Sequence, residues 1–238
     1  FWDNWKCDNK IMNEELDIAA LESISVAENY NKYVADLFFS NIDKTENILD
    51  FGAGYGLITE KFKKKGYKIS AVEINKTALE KLNDKNIDSY NLIEKVPKSI
   101  NCIISLNVLE HIEDDDKYIK KFYNHLPQDG KLILYLPSSN LIWTELDDMV
   151  NHKRRYSKSG IVELLNSNSF EIEKIFFVDF IGWIVLFFLK MFRVKLDFDK
   201  RKIKFYDKFI FRTFKFSDYF FKNIIGKNLF IVASKKKN

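Results

Sequence analysis

Three glycines at alternate positions follow an apolar run that ends in an acid, in the stretch NILDFGAGYG at residues 47–56. A strand that runs through such a turn into a helix presents backbone N–H groups at the carboxyl edge of a parallel sheet, where nucleotides bind. Glycine lets a ligand approach the backbone closely because it carries no side chain. Asp50, Gly52, Gly54 and Gly56 therefore predict the binding loop of a nucleotide-containing cofactor.

Glu73 is a second acid with a predicted chemical role, because it ends the next apolar segment about twenty residues after the glycines. A carboxylate at this position typically accepts hydrogen bonds from the hydroxyls of an adenosine ribose. In a dinucleotide-binding fingerprint, a third glycine would stand at the position of Leu57. The glycine spacing therefore disfavours NAD and a nicotinamide-dependent oxidoreductase.

Two histidines follow later apolar segments and are candidates for a catalytic base. His111 stands in NVLEHIEDD beside Glu110, which could orient its ring and raise its basicity. A packing histidine in a helix-opening turn is the alternative for His111, and both interpretations stay open. His152 stands in MVNHKRRY and is the better candidate for contact with the substrate, since loops carry specificity while the sheet holds the cofactor.

The basic run after the second histidine is a candidate substrate-binding segment. Arg154 and Arg155 could bind a phosphate or carboxylate bidentately, and Tyr156 follows them. A solvated surface or an ion pair with Asp147 and Asp148 is the alternative for the two arginines.

Strand and helix patterns alternate along the chain and position these residues. Five apolar segments separated by helical ones indicate an α/β fold with a doubly wound, parallel sheet. We expect one domain over residues 1–238, because no linker or repeat interrupts the chain. Cys7 and Cys102 lack the spacing of a metal site or a disulfide framework, so we expect no metal and a cytoplasmic location.

The motifs ILDFGAGYG, AVEI, LNVLEHIEDD and LPQDGKLILYLP together resemble those of the class I S-adenosylmethionine-dependent methyltransferases, over roughly residues 25 to 175. The resemblance implies a Rossmann-like sheet of seven strands with an antiparallel last strand, and S-adenosylmethionine as the cofactor. It places Glu73 at the ribose, Asn107 at the methionine amino group and Asn91 nearest to the adenine. The residues that it implies for cofactor binding are Asp50, Gly52, Ala53, Gly54, Gly56, Glu73, Ile74, Asn91, Asn107 and Val108.

Further stretches, among them ENYNKYVADLF and LDDMVNHKRRYSKSG, resemble a bacterial subgroup that is often associated with glycosyltransferases. This narrower resemblance implies a small-molecule, glycan or lipid-linked sugar acceptor in polysaccharide biosynthesis, with oxygen as the expected acceptor atom. It also implies that Tyr30 closes over the cofactor; the alternative is that Tyr30 is a core residue. A non-catalytic interaction protein that binds S-adenosylmethionine is the alternative function.

A segment at about residues 178–227 is dense in Phe, Lys and Arg, and we call it the helical insertion. Its pattern is mostly helical, and three interpretations stay open. The segment packs on the sheet or on a second subunit of a homodimer, it dips into an anionic membrane surface, or it binds single-stranded nucleic acid. A net charge of +4 is too small to indicate nucleic acid, so this third interpretation is the weakest and we expect no nucleic-acid partner. A homodimer or a peripheral membrane contact through residues 178–227 stays open.

Overall fold

The computed structural model describes residues 14–236 of the chain, so Cys7 lies outside the described residues. A seven-stranded sheet in the order β3-β2-β1-β4-β5-β7-β6 forms its centre. Strand β7 pairs antiparallel with both β5 and β6, and the first five strands are parallel. The predicted doubly wound sheet with an antiparallel last strand is thus confirmed. The strands are β1 Asn47–Phe51, β2 Lys68–Val72, β3 Ser89–Tyr90, β4 Cys102–Leu106, β5 Lys131–Pro137, β6 Phe170–Val178 and β7 Asn228–Lys235.

The central strands are buried on both faces, which explains why they read as unbroken apolar runs. One hydrophobic cluster, around Phe122 and Leu165, covers one face of the sheet. A second cluster, around Phe38 and Phe62, covers the other. The strand order reverses between β1 and β4, and ligands of such sheets bind outside the carboxyl ends of the strands at this point.

Helices connect the parallel strands, and their ends follow signals in the sequence. Gly66 follows the helix after β1 with a φ of +81°, and the Ser157 hydroxyl caps the helix before β6 by accepting a hydrogen bond from the Gly160 N–H. The helices up to β6 are α1 Glu14–Ser25, α2 Glu28–Phe39, α3 Leu57–Lys64, α4 Lys76–Asp84, α5 Asp115–His125, α6 Glu145–Met149 and α7 Lys158–Ser167. Short 3₁₀ turns lie at Ile93–Lys95, Leu109–His111 and Asn140–Ile142.

The helical insertion lies between β6 and β7 and is helical, as its pattern predicts. Its elements are α8 Phe180–Met191, α9 Lys200–Phe205, a π-helical turn Tyr206–Phe211, α10 Arg212–Phe214, a 3₁₀ turn Lys215–Ser217 and α11 Asp218–Phe221. Within residues 14–236, none of the helices combines the length and the apolar character that crossing a bilayer requires.

Two buried aspartates fasten the helical insertion to the rest of the protein. Asp207 accepts hydrogen bonds from the backbone N–H groups of Asn29 and Tyr30, at 3.0 and 2.8 Å. These groups open α2, whose preceding residue provides no side-chain cap. Asp218 likewise accepts from the N–H groups of Asp179 and Phe180 at the start of α8. Helix starts have N–H groups without intrahelical partners, so both aspartates satisfy donors that burial would otherwise leave unpaired.

Candidate active site

The turn between β1 and α3, residues 52–56, forms a glycine loop at the carboxyl edge of the sheet. Gly52 has a φ of +79°, and a Cβ atom there would collide with the methyl groups of Val108. Both the backbone conformation and the space therefore exclude a larger residue. Ala53 lies between the glycines, and its N–H donates to the carbonyl of Val72 at 3.2 Å. The loop is thus held against the ends of β2 and β4.

Glu73 is nearly buried and its carboxylate accepts three backbone hydrogen bonds. The N–H of Gly54 donates to one oxygen at 2.7 Å, and the N–H groups of Ile74 and Asn75 donate to the other at 2.7 and 2.9 Å. A carboxylate has about four acceptor positions, so roughly one remains for a ligand while all three bonds persist. Glu73 therefore joins the glycine loop to the end of β2 in addition to its predicted contact with a ribose.

Asn107 stands directly after β4, the strand that lies next to β1 in the sheet. It has a φ of +51°, and its N–H donates to the carbonyl of Tyr135 at 2.8 Å. The side-chain oxygen Oδ1 is buried and has no hydrogen-bond partner among the described residues. Such an orphaned acceptor at a strand end is available to a ligand donor.

Asp50 lies near the end of β1, two residues before the glycine loop begins. Its Oδ2 accepts a hydrogen bond of 2.6 Å from the Thr59 hydroxyl on α3. Burial raises the pKa of the Asp50 carboxyl to about 7, although the Thr59 hydrogen bond opposes this shift. Asn91 is exposed just after β3, at the same edge of the sheet.

We call the loop after β5, residues 138–157, the acceptor loop, after its predicted contact with the substrate. Asp147 is its central hydrogen-bond acceptor. Asp147 is 1% exposed. One oxygen lies 2.8 Å from Nδ1 of His152 and 2.8 Å from Nε of Arg155. The other accepts from the Thr144 N–H at 2.9 Å and from Arg155 Nη2 at 3.0 Å. Burial raises the pKa of Asp147, but the hydrogen bonds from His152 and Arg155 outweigh burial and lower it to about 2.

His152 is therefore held in a defined tautomer. Because Asp147 is ionised, Nδ1 of His152 carries the proton and donates it to the carboxylate, which leaves a lone pair on Nε2. Nε2 lies 3.8 Å from Oε1 of Glu110. The backbone N–H of Lys153 donates to the carbonyl of Glu110 at 2.7 Å and fastens the acceptor loop to the turn after β4.

Glu110 is fully buried, and neither of its carboxylate oxygens has a hydrogen-bond partner among the described residues. Burial raises the pKa of this carboxyl to about 8. His111 packs its ring edge-on against His152, with the ring centroids 4.7 Å apart. Burial and the neighbouring His152 lower the pKa of His111 to about 3, so its imidazole is neutral near pH 7.

The predicted substrate-binding residues lie beside this cluster but are engaged by the protein. The side chain of Arg155 is 7% exposed and forms an ion pair with Asp147. Such an ion pair is the alternative to substrate binding that the sequence analysis gives for the two arginines. Arg154 Nη1 lies 2.9 Å from Oδ1 of Asp115, and the Tyr156 hydroxyl donates to Oδ2 of the same residue at 2.8 Å. These contacts position the acceptor loop against α5.

Tyr30 lies on α2 within a buried group of polar atoms. Its hydroxyl is 2.8 Å from that of Tyr135, and Nδ2 of Asn228 donates to both hydroxyls at 3.1 Å. Burial raises the pKa of the Tyr30 hydroxyl. This position fits the alternative of a core residue. Leu21 of α1 lies close to the glycine loop instead. A Cβ atom on Gly54 would lie 3.1 Å from its Cδ2.

Two side-chain contacts of the site were not predicted from the sequence. Glu110 faces His152 instead of hydrogen-bonding to its sequence neighbour His111. Asp147 is the partner of His152, and the spacing Thr144-x-x-Asp147 of a capping box is the signal that would have predicted its inward position.

Comparisons with known proteins identify the family to which the chain belongs. A family model described as a methyltransferase domain matches residues 25–174. The ubiquinone biosynthesis O-methyltransferase of Rickettsia typhi is 29% identical over 107 residues, 41% of this chain and 43% of that enzyme. The malonyl-[acyl-carrier protein] O-methyltransferase 1 of Ilyobacter polytropus is 25% identical, over 97% of this chain and 96% of that enzyme. The chain thus spans less than half of the first relative and nearly all of the second.

Solved structures share the fold at low sequence identity. A methyltransferase from Thermotoga maritima superposes with a TM-score of 0.61 at 15% identity, over 89% of this chain and 91% of that one. Phosphoethanolamine N-methyltransferase 2 of Haemonchus contortus, in complex with S-adenosyl-L-methionine, gives 0.56 at 18% identity, over 87% of this chain and 53% of that one.

Proposed function

The chain belongs to the methyltransferase-domain family and is an S-adenosylmethionine-dependent methyltransferase, and we propose that it methylates an oxygen of a sugar-containing acceptor. The observation that carries the choice of oxygen is the 2.8 Å contact between His152 Nδ1 and Asp147. A hydroxyl must lose its proton to become a methyl acceptor, whereas a neutral amine already has a free lone pair. Both curated relatives described above are named as O-methyltransferases, which supports this choice.

The residues at the carboxyl edge fit S-adenosylmethionine. The orphaned Oδ1 of Asn107 is an acceptor suited to the methionine amino group. Glu73 would hold the ribose hydroxyls. When bound, the cofactor supplies a methyl carbon activated by a positively charged sulfur.

His152 is the group that we propose for proton removal. Nε2 is the acceptor atom, and the Asp147 carboxylate stabilises the imidazolium that forms when it takes the proton. Arg155 holds Asp147 in place through two hydrogen bonds, at 2.8 and 3.0 Å. His111 contributes a neutral ring that packs against His152, so its role in this proposal is positioning.

We further propose that the acceptor is lipid-linked and that the protein meets it at an anionic membrane surface, on the cytoplasmic side. The helical insertion supports this proposal. Eleven of the thirteen large hydrophobic residues that are exposed in the described part of the chain lie between residues 188 and 224. We call them the apolar outer face: Phe188, Met191, Phe192, Val194, Phe205, Phe209, Phe214, Phe216, Tyr219, Phe220 and Ile224.

The charge of this segment complements an anionic lipid surface. Residues 188–224 contain eleven Lys or Arg and four Asp. Two of these four, Asp207 and Asp218, are buried and accept backbone hydrogen bonds. Aromatic side chains interleaved with cations are typical of helices that lie in the interface of a membrane.

The apolar outer face adjoins the acceptor loop, which supports a lipid-linked substrate. Nζ of Lys190 donates to the carbonyl of Leu141 at 2.9 Å, and Nε1 of Trp183 donates to Oγ of Ser139 at 3.1 Å. Leu141 itself is 65% exposed. A sugar attached to a lipid in the membrane would thus lie near the loop that carries His152.

The test is turnover on matched acceptors. The full chain is incubated with S-adenosylmethionine and either nucleotide sugars, polyprenyl-phosphate-linked sugars or phosphoethanolamine, and products are identified by mass spectrometry. We expect O-methylated sugar, with the lipid-linked form preferred when vesicles are present. Methylation of the amine alone would overturn the choice of oxygen. Binding of S-adenosylhomocysteine without turnover on any acceptor would favour the non-catalytic alternative.

A further inference from the structure

Three side chains with metal-binding atoms converge beside the acceptor loop. Glu110, His111 and His152 each offer one ligand atom, and these atoms lie within 4.8 Å of one another. The cysteine spacing predicts no metal, and this cluster has no sequence signature because His152 stands 41 positions after His111, so that only the fold brings it close. Two imidazoles and one carboxylate are a donor set that Zn²⁺, Mn²⁺ and Fe²⁺ accept in proteins.

Glu110 indicates that something is to be bound here. It is fully buried, and both of its carboxylate oxygens lack a hydrogen-bond partner among the described residues. A buried carboxyl group without a hydrogen-bond partner is costly, and buried carboxylates in proteins are paired or coordinate metals. The nearest imidazole nitrogen, Nε2 of His152, is 3.8 Å away, which is beyond hydrogen-bond distance.

The surroundings of His152 match those of a metal ligand. Its Nδ1 is bound by Asp147, which is itself fixed by Arg155 and by the N–H of Thr144. A histidine that ligates a metal almost always donates its other N–H to a carboxylate or carbonyl, which fixes the tautomer and the ring. Nε2 is thereby aimed at Glu110 with its lone pair free.

The spacing is compatible with one cation. Two ligand atoms that share a tetrahedral Zn²⁺ lie about 3.3 Å apart, given metal–ligand distances of about 2.0 to 2.1 Å. The pair Nε2 of His152 and Oε1 of Glu110 is 3.8 Å apart, so a small movement of either side chain suffices. All three ligand atoms lie within 4.8 Å of one another, so no pair has to close by more than roughly 1.5 Å.

We propose that Glu110, His111 and His152 form a site for one divalent cation, Zn²⁺ or Mn²⁺, with an open position for the acceptor oxygen. Three protein ligands with an open position are typical of catalytic rather than structural metal sites. The cation lowers the pKa of a coordinated hydroxyl, so that the proton passes to solvent and the oxygen is ready for the methyl group. In this state His152 is a ligand, and coordination replaces its role as a base.

The inference deepens the proposed function and rests on it for the oxygen acceptor, but its test reads metal binding directly. The full chain is dialysed against a chelator and then against Zn²⁺ or Mn²⁺, and bound metal is counted by mass spectrometry. We expect one equivalent per chain and a higher Tm. Co²⁺ in the same site should give the visible absorption bands of a low-symmetry nitrogen and oxygen environment.

Variants identify the site. Asp147→Asn removes the outer partner of His152 and should weaken metal binding by about 10- to 100-fold. Glu110→Gln and His152→Ala remove ligands and should weaken metal binding by more than this. Glu113→Gln is the matched control, because this carboxylate is 81% exposed three residues farther on. Calorimetry with S-adenosylhomocysteine shows that each variant is folded.

The outcomes separate the two proposals. Substoichiometric metal, or metal binding that Glu110→Gln and His152→Ala leave unchanged, overturns the metal site. If the wild-type protein without bound metal methylates a hydroxyl acceptor, the proposed function stays in place, with His152 as the base. One tightly bound equivalent without O-methyl transfer would instead contradict the proposed function while the metal site stands.

Discussion

Nδ1 of His152 lies 2.8 Å from Oδ1 of Asp147, and the same carboxylate accepts two hydrogen bonds from Arg155. These two residues stand five positions apart on the acceptor loop, and Asp147 also belongs to the capping box of α6, in which it accepts from the N–H of Thr144. One buried carboxylate therefore orders the helix, the arginine and the imidazole together.

Replacing this carboxylate by an amide should abolish most of the activity. In Asp147→Asn the side chain keeps its shape but no longer enforces a proton on Nδ1, so Nε2 loses its defined lone pair. We expect kcat to fall by about 10²- to 10⁴-fold, as for loss of a general base or its partner. The measurement is the rate of S-adenosylhomocysteine release with the acceptor that the turnover assay identifies.

Asp148→Asn is the control for that substitution. Asp148 adjoins Asp147 in the sequence, but among the described residues its hydrogen bond comes from Trp143 Nε1, in an exposed contact at 3.0 Å. Equal rates for Asp147→Asn and wild type, with the control also unaffected, would show that the pair does not act in catalysis.

Glu73→Ala should weaken binding of S-adenosylhomocysteine by about 10- to 100-fold. The substitution removes the acceptor of three backbone N–H groups as well as the predicted ribose contact, and hydrogen bonds to charged groups contribute about 1.5 to 3 kcal/mol each. Titration calorimetry measures the loss. Glu80→Gln on the exposed side of α4 is the control, and an unchanged Kd in Glu73→Ala would contradict the predicted role.

Gly52→Ala and Gly66→Ala form a pair that separates backbone strain from collision. Both glycines have a φ near +80°, but a Cβ on Gly66 meets nothing within 4 Å, whereas one on Gly52 collides with Val108. Gly66→Ala should therefore cost about 1 kcal/mol and Gly52→Ala several times more. Chemical denaturation measures both.

The double variant Gly52→Ala, Val108→Ala tests the cause. Removing the two methyl groups should recover part of the lost stability, because the collision is relieved while the strain stays. A double variant that is less stable than the sum of the two single losses would show that Val108 is not the obstacle.

Asp50 should lower the free energy of unfolding as the pH rises from about 5 to 8, whereas His111, whose pKa burial lowers, should raise it up to about pH 6.5. The Asp50 carboxyl has a pKa of about 7 in the folded protein, because it is buried, and about 3.9 when unfolded. Between these values the folded state keeps a proton that the unfolded state has released, so a rise in pH favours unfolding, by up to about 4 kcal/mol in total.

Asp50→Asn isolates this contribution. The amide does not titrate, so the slope of stability against pH should become shallower over this range. A residual slope should remain, since burial also raises the pKa of Glu110, to about 8. Identical slopes for Asp50→Asn and wild type in urea titrations at several pH values would contradict the assignment.

Anionic vesicles should bind the protein through the apolar outer face. We expect the full chain to pellet with phosphatidylglycerol vesicles at low salt and much less with phosphatidylcholine, because the cations of the segment contribute about 1 kcal/mol each near an anionic surface. Phe188→Ser with Phe192→Ser should reduce binding, whereas Ile24→Ser, an exposed residue elsewhere, should not.

A second copy of the chain is the competing occupant of this face. Sedimentation without lipid distinguishes it: a stable dimer that the Phe188→Ser, Phe192→Ser variant dissociates, together with no vesicle binding, would contradict the membrane proposal.

The sheet and the glycine loop could be predicted from the sequence because their signals are local. The apolar run before Asp50, the glycines after it and Glu73 at the next strand end lie within one β-α-β unit. Side-chain pairing across the acceptor loop could not be predicted in this way. Asp147, His152 and Glu110 come from two different strand ends, and only the packing of the loop on the turn after β4 decides which of them meet.

The helical insertion shows the same division. Its periodicity predicts helices, and its composition predicts a basic, aromatic surface. The inward position of Asp207 and Asp218 was not predictable, because an acid in a basic segment looks like a solvated charge until the helix starts that it caps are known.

The capping of α2 by Asp207 also has a consequence for the order of events on the ribosome. The acceptor for the Tyr30 N–H is made 177 residues later. At synthesis rates of about 5 to 20 residues per second, the start of this helix waits roughly 10 to 35 s for its partner. Until then the backbone N–H groups at the start of α2 lack the Asp207 carboxylate as their acceptor. Strand β7 begins only about twenty residues after Asp207. Completion of the sheet and completion of α2 therefore fall at nearly the same moment of synthesis.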